Sequence, residues 1–156
     1  MRQLFIISAI TACLAVTILC VVSDASGQTS AKAASEGRDA VEIRSSAAYA
    51  EVLLRKTELQ AETEGLAAEY TDEFPKLAEA RYALEAVERE RLRLLSLKPT
   101  AASRLTLALG KLMVRKAEQE VELWTLRKSL QEGHPDVKRA KRKVEIYEAA
   151  IKEILG

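Results

Sequence analysis

Cysteine is nearly missing from this chain. Of 156 residues only 2 are cysteines, and both, Cys13 and Cys20, fall within one uncharged stretch near the start. The rest of the chain can therefore make neither a disulfide nor a thiolate metal site, so an oxidising compartment is tolerated and not used. Histidine is scarcer still, with His134 alone, which leaves no second imidazole for a metal site. Neither sign of charge prevails: after Gly27, 23 Lys and Arg oppose 22 Asp and Glu (24 less Arg2, 23 less Asp24). A balance so close to neutral gives no argument for nucleic acid, whose binding depends on neutralising many phosphates. No run alternates with period two for long enough to suggest a strand. What remains is dense, mixed charge among Ala, Leu, Glu, Lys and Arg with few aromatics, a composition that belongs to long helices or coiled coils.

Residues 4–22, LFIISAITACLAVTILCVV, follow Arg2 and carry no charge. Such a segment is set aside before the fold is considered. Ala25-Ser26-Gly27 offers small residues for cleavage before Gln28, the pattern of a signal peptide. The run is also close to the about 20 residues that cross a bilayer as a helix, so an uncleaved anchor is a second reading. A third is a lipoprotein signal, because Ile10-Thr11-Ala12-Cys13 loosely fits a lipobox. All three place the working part of the chain outside the cytoplasm, in the periplasm or cell envelope, held to the inner membrane by residues 4–22 where cleavage does not occur. Residues 28–39 are small and polar and read as a flexible linker.

From about Ala40 the periodicity is helical, over roughly 40–71, 75–97, 101–131 and 135–155. In the last segment Val137, Ala140, Val144, Tyr147, Ile151 and Ile154 are spaced 3, 4, 3, 4, 3, one stripe facing one partner. The second segment repeats this with Leu77, Ala80, Leu84, Val87, Arg91 and Leu94, interrupted by Arg91. The first has a weaker stripe of Tyr49, Val52, Leu59, Leu66 and Tyr70. The third carries two neighbouring series: Leu105, Leu109, Leu112, Leu123, Leu126 and Leu130, with Lys116 and Gln119 in its middle, and Leu107, Gly110, Val114, Ala117, Val121 and Trp124. A stripe that wide makes this helix the central member of a bundle, or one that buries a face against a second copy. Pro75 and Pro135 suit first helical turns, and short connections make neighbouring helices antiparallel.

Sliding the sequence against itself until Pro75 falls on Pro135 superposes the two corners. Arg55, Lys56, Glu58, Glu62, Leu66, Pro75, Ala80, Glu85 and Glu88 then fall on identical residues at 115, 116, 118, 122, 126, 135, 140, 145 and 148. The expectation is an all-α chain of two antiparallel helical hairpins, 40–97 and 98–156, the second a duplication of the first, forming an elongated four-helix bundle or coiled coil after a signal peptide or anchor at 1–27. Between Glu58 and Glu79 the charge is acidic, and between Arg127 and Lys143 it is basic. In an up-down-up-down bundle both corners lie at one end, so the two runs are expected to face each other.

Candidate sites concentrate at these corners: Phe74 and Pro75 in one, His134 and Pro135 in the other. His134 reads as a corner residue, because a metal needs three or four converging ligands and only Glu132 and Asp136 are near in sequence. No catalytic residue, cofactor site or metal site is expected: there is no nucleophile-elbow sequence, and Gly110 in ALGKL reads as a point of close helix approach. Arg127, Lys128, Lys138, Arg139, Lys141 and Arg142 are the candidate contacts for an anionic polysaccharide, lipid headgroup or protein partner.

The stretches LQEGHPDVKRAKRKVEIYEAAI and EYTDEFPKLAEARYALEAVERE resemble the turn region of the periplasmic coiled coils in polysaccharide co-polymerases and exopolysaccharide chain-length determinants. The resemblance rests on His134, Pro135 and the seam Val137, Ala140 and Val144, with Phe74, Pro75 and Leu77 as a degenerate copy. It implies a bacterial envelope protein whose helical hairpin acts by assembly. The sequence thus leads to a non-enzymatic exported coiled coil with a scaffolding role, linked by the resemblance to polysaccharide export, that forms a homo-oligomer or binds an envelope partner and takes no cofactor. Two other roles fit the same residues: binding of an anionic glycan or lipid through the basic tip, and a periplasmic holdase.

Overall fold

Each of the four long α-helices among the described residues begins where a side chain or a proline settles the unpaired N–H groups of a first turn. Residues 41–156 are described in the computed structural model; the proposed targeting segment 1–27 and linker 28–39 lie outside them. Helix α1 spans Ala47–Glu69 and is capped by Ser46, whose Oγ accepts from the Tyr49 N–H at 3.2 Å. Helix α2 spans Pro75–Leu95, with the proline in its first turn. A short 3-10 helix, Pro99–Arg104, leads to α3, Leu107–Ser129, where the Thr106 hydroxyl accepts from the Leu109 N–H at 3.3 Å. Helix α4 spans Pro135–Leu155. No strand occurs among the described residues, and none of their helices is long and apolar enough to cross a membrane.

The sequence pattern extends the first and third helices too far toward their starts. Residues 41–44 form a separate helical turn, and 101–104 belong to the 3-10 helix. The physical reason is the caps: a Ser or Thr side chain that accepts from the N–H three residues on fixes a helix start, and Ser46 and Thr106 both do so. The bounds of α3 and α4 are those of α1 and α2 under the same slide that carries Pro75 onto Pro135: 47 to 107, 69 to 129, 75 to 135 and 95 to 155.

Helix α3 packs against α1, α2 and α4, which accounts for its wide apolar surface. The main core gathers Val52 and Leu59 of α1, Val87 and Leu94 of α2, Leu109, Met113 and Ala117 of α3, and Ile151 of α4. A smaller cluster of Leu123, Val137 and Ala140 joins α3 to α4 nearer their corner. Each fully buried Leu, Ile, Val or Met contributes about 1.5 to 3 kcal/mol, so the main core outweighs any surface ion pair. Helix α2 buries more than the expected seam. Ala86 and Glu90 are buried beside it, because α2 meets α3 as well as α1.

Gly110 marks the closest approach of α1 and α3. A Cβ placed there would lie 2.8 Å from the Ala48 carbonyl oxygen and 2.9 Å from the Glu51 Cβ, so the two backbones meet only because this residue has no side chain.

Candidate functional site

At the second corner His134 is the N-cap of α4, its Nδ1 accepting from the Asp136 N–H at 3.2 Å, with Pro135 next in the first turn. At the first corner Phe74 occupies the same place and makes no side-chain cap; its ring stacks on Tyr70 at 4.1 Å between centroids. Pro75 follows as Pro135 does. The two corners therefore share backbone geometry and differ in chemistry, which makes the imidazole a capping group. No set of three or more His, Cys, Asp or Glu side chains converges on a metal position among the described residues.

The basic residues do not face the acidic run. Arg127 Nε lies 2.6 Å from Glu132, Arg139 pairs with Asp136, and Arg142 lies 3.2 Å from Glu145. Lys128 Nζ lies 3.3 Å over the Trp124 ring, whose other neighbour is Tyr82, stacked at 4.6 Å. Lys138 and Lys141 are exposed and make no ion pair among the described residues. On the acidic side Glu58 pairs with Arg55 and Asp72 with Arg81. No ion pair among the described residues joins 58–79 to 127–143, so the expected match of the two runs within one chain does not form. For the groups that do pair, the reason is local: partners three to nine positions away reach Arg127, Arg139, Arg142, Glu58 and Asp72 before the other hairpin corner does.

The most buried polar group among the described residues is elsewhere, where α2, α3 and α4 meet. Glu90 is only 4 % exposed, and its Oε1 lies 2.5 Å from Lys116 Nζ. The same ammonium lies 3.1 Å from Glu120 and 3.2 Å from Glu148. Arg93 grips Glu148 with two hydrogen bonds of 3.0 and 3.2 Å. Burial works against the Lys116 charge, but the hydrogen bond and charge of Glu90, with Glu120, outweigh it and raise the pKa. Burial likewise pushes the Glu148 carboxyl up, and Arg93 and Lys116 overcome it, so its pKa is lowered. Lys116 stands out in the sequence only as an interruption of a leucine series. Glu90 gives a weaker signal, its place in the 86, 90, 94 row between buried Ala86 and Leu94.

The first helix pair repeats this contact in a more open setting. Lys56 Nζ lies 3.1 Å from Glu88, and these two are the counterparts of Lys116 and Glu148. Arg91, the interruption in the α2 stripe, holds Glu88 with bonds of 2.6 and 2.8 Å and reaches the Tyr49 hydroxyl at 3.3 Å. The Arg91 hydrogen bonds, with help from Lys56, hold the Glu88 carboxyl down at about 2.

A cleft of about 370 Å³ opens between α1, α2 and α3. Its floor is apolar, with Leu59, Ala80, Ala83, Val87, Ala117 and Val121, and its rim mixes Arg55, Lys76, Glu62, Glu79 and Glu118. These rim groups are of both signs. The chain matches no protein-family model, no curated protein and no solved structure.

Proposed function

We propose that this chain is a non-enzymatic, exported scaffolding protein of the bacterial cell envelope. It consists of two antiparallel helical hairpins in an elongated four-helix bundle and acts by assembling with copies of itself or with an envelope protein. The pairing of Tyr49 with Arg91 and Lys56 with Glu88 supports opposed directions for α1 and α2. Lys116 with Glu148 and Glu122 with Lys143 support the same for α3 and α4. The observation that carries the scaffolding reading is where the charge goes. Buried Glu90 and the half-buried Lys116, Glu148 and Arg93 around it join helix to helix, and large apolar side chains remain outside, among them Leu53, Leu54 and Ile146. Buried ion pairs of this kind serve register more than net stability, and exposed apolar groups serve contact.

The export assignment rests on residues 4–22, and the link to polysaccharide export on the likeness of the corners to chain-length determinants. Crosslinking in cells from a position beside His134, followed by sedimentation of the purified full chain, tests the reading. An oligomer or a recovered envelope partner is expected. A strict monomer with no envelope partner removes it.

A second reading is favoured by the unmatched basic corner: Lys138, Arg139, Lys141 and Arg142 bind an anionic glycan or lipid headgroup. Retention on an acidic polysaccharide that weakens with salt, and disappears when these four are neutralised, is its signature. Retention indifferent to the four changes excludes it.

A further inference from the structure

The constant offset between the helix pairs makes the contact between them readable position by position. On α3, the face turned to the first pair holds Gly110, Met113, Val114, Ala117, Val121 and Trp124. Met113 is 0 % exposed there and Val114 is 9 %. Their counterparts on α1 are Ala50, Leu53, Leu54, Thr57, Ala61 and Glu64. This face is turned outward, with Leu53 41 % and Leu54 57 % exposed. The opposite half of the contact behaves in the same way. Ala86 of α2 is fully buried against it, whereas its counterpart on α4, Ile146, is 56 % exposed. The α1 half of an interface that is closed inside the chain therefore recurs apolar and exposed on the outer surface, and the α3–α4 half recurs as Ile146 with Ala108 and Ala149 among Lys111, Arg115, Arg142 and Lys143.

We propose that a second copy of this chain docks there head to tail, the α1 face of one molecule on the α3–α4 face of the next, continuing the packing that already joins the two helix pairs. This rests on the scaffolding reading above and names its partner. Stacked helical repeats bury a continuous core by neighbour contacts, and a terminal repeat that stands alone needs a polar outer face. Here the α1 face carries Leu53 and Leu54 instead, and the α3–α4 face carries Ile146 among basic side chains that suit the acidic residues of α1. Because the two faces differ, the contact is heterologous and extends to an open array or a ring.

The charges favour the same docking. Where Tyr82 stacks on Trp124 inside the chain, the outer counterparts are Arg142 and Glu64. Where Arg55 lies 3.8 Å from Glu118, the outer counterparts are Arg115 and Glu58. Both contacts bring opposite charges together. The basic run on α4 thus meets the acidic run on α1 of the next molecule, the match that is missing within one chain. The counterpart of Glu90 is Ala150, so the outer contact lacks the buried carboxylate that helps fix the register of the inner one.

The close approach supplies a geometric test. Gly110 sits against Ala48, and the outer counterparts are Ala50 and Ala108, both exposed. Within one chain these two point away from each other. Each is two residues, about 200° around its helix, from the residue that makes the inner contact. In the full chain, with Cys13 and Cys20 changed to serine and held in detergent micelles, Ala50→Cys and Ala108→Cys are made singly, and circular dichroism checks that each folds. Mixing the two single variants under oxidation is expected to give a disulfide dimer with one copy of each, several-fold above either variant alone, and a double variant is expected to give a ladder. Adding Arg142→Glu to the Ala108→Cys copy lowers the mixed-dimer yield, and Glu64→Arg on the other copy restores it. A dimer formed equally well by one variant alone overturns the head-to-tail geometry. So does the absence of any intermolecular disulfide while sedimentation still reads an oligomer; the scaffolding reading survives both. A face covered by residues 1–40 of the same chain also gives no disulfide and overturns the proposal.

Discussion

Lys116 Nζ lies 2.5 Å from Oε1 of Glu90, a carboxylate held 4 % exposed between α2 and α3. The other oxygen, Oε2, is buried without a hydrogen-bond partner, so Glu90 depends on this ammonium, with Arg93 3.6 Å away as a weaker support. Removing one partner of a buried pair strands the other's charge and costs about 3 to 5 kcal/mol, whereas replacing both by apolar groups is often neutral. Lys116→Met is therefore expected to lower stability by about that much, and Glu90→Leu combined with Lys116→Met by much less. Urea unfolding of the single and double variants measures it. Equal loss in both would mean that the stranded Glu90 charge is not what the single change costs.

Two glycines separate helix propensity from packing. At Gly65 an added Cβ meets nothing within 4 Å, so Gly65→Ala gains the helix preference of alanine, about 0.5 to 1 kcal/mol. At Gly110 the same change forces α1 from α3, because the nearest atoms at 2.8 and 2.9 Å are the Ala48 backbone and the Glu51 Cβ. Overpacking costs about 1 to 3 kcal/mol, enough to cancel that gain and reverse the sign. Thermal melts of the two variants should move in opposite directions.

Stability should fall in acid before it falls near neutrality. The Glu88 carboxyl is held at about 2 by Arg91 and Lys56, and that of Glu148 is also lowered, by Arg93 and Lys116 against the effect of burial. A depressed carboxylate contributes stability that is complete above its unfolded pKa of 4.5 and is lost as the pH falls through the folded value. Lys116 works in the other direction: its raised pKa gives a contribution present below 10.5 and lost as the pH rises through the folded value. Unfolding free energy is expected to be flat between these limits with respect to the three groups and to decline from about pH 4.5 toward 2. In Glu88→Gln the acid decline should be shallower.

What is legible in the sequence and what is not divide along physical lines. The apolar spacing from Val137 to Ile151 and the prolines at 75 and 135 locate α2 and α4, and the wide stripe of α3 names it as the helix with several neighbours. These signals are local or periodic, and a single chain carries them. The starts of α1 and α3 are overrun because apolar periodicity continues past a cap, although Ser46 and Thr106 stand at matching positions and mark both. Glu90 escapes notice because its burial depends on which second helix α2 meets, a tertiary fact. The charge match is misplaced for a related reason: run-to-run complementarity states that two surfaces suit each other, but local partners such as Glu132 for Arg127 compete first.

The corners offer the last expectation, since they differ in one side chain on the same backbone. His134 Nδ1 accepts the Asp136 N–H at 3.2 Å, and loss of an N-cap bond costs about 0.5 to 2 kcal/mol. Phe74 offers no such bond but stacks on Tyr70 at 4.1 Å, and an aromatic pair adds about 0.5 to 1.5 kcal/mol beyond burial. His134→Ala should therefore destabilise, and His134→Asp, which restores an acceptor at the cap, should recover most of the loss. Phe74→Asp gains a cap and loses a stack, and is expected to be near neutral. If His134 instead served a metal, zinc would raise the melting temperature of the parent chain and His134→Asp would not recover what His134→Ala loses. No shift with zinc, together with recovery by the aspartate, assigns the imidazole to the backbone N–H of Asp136.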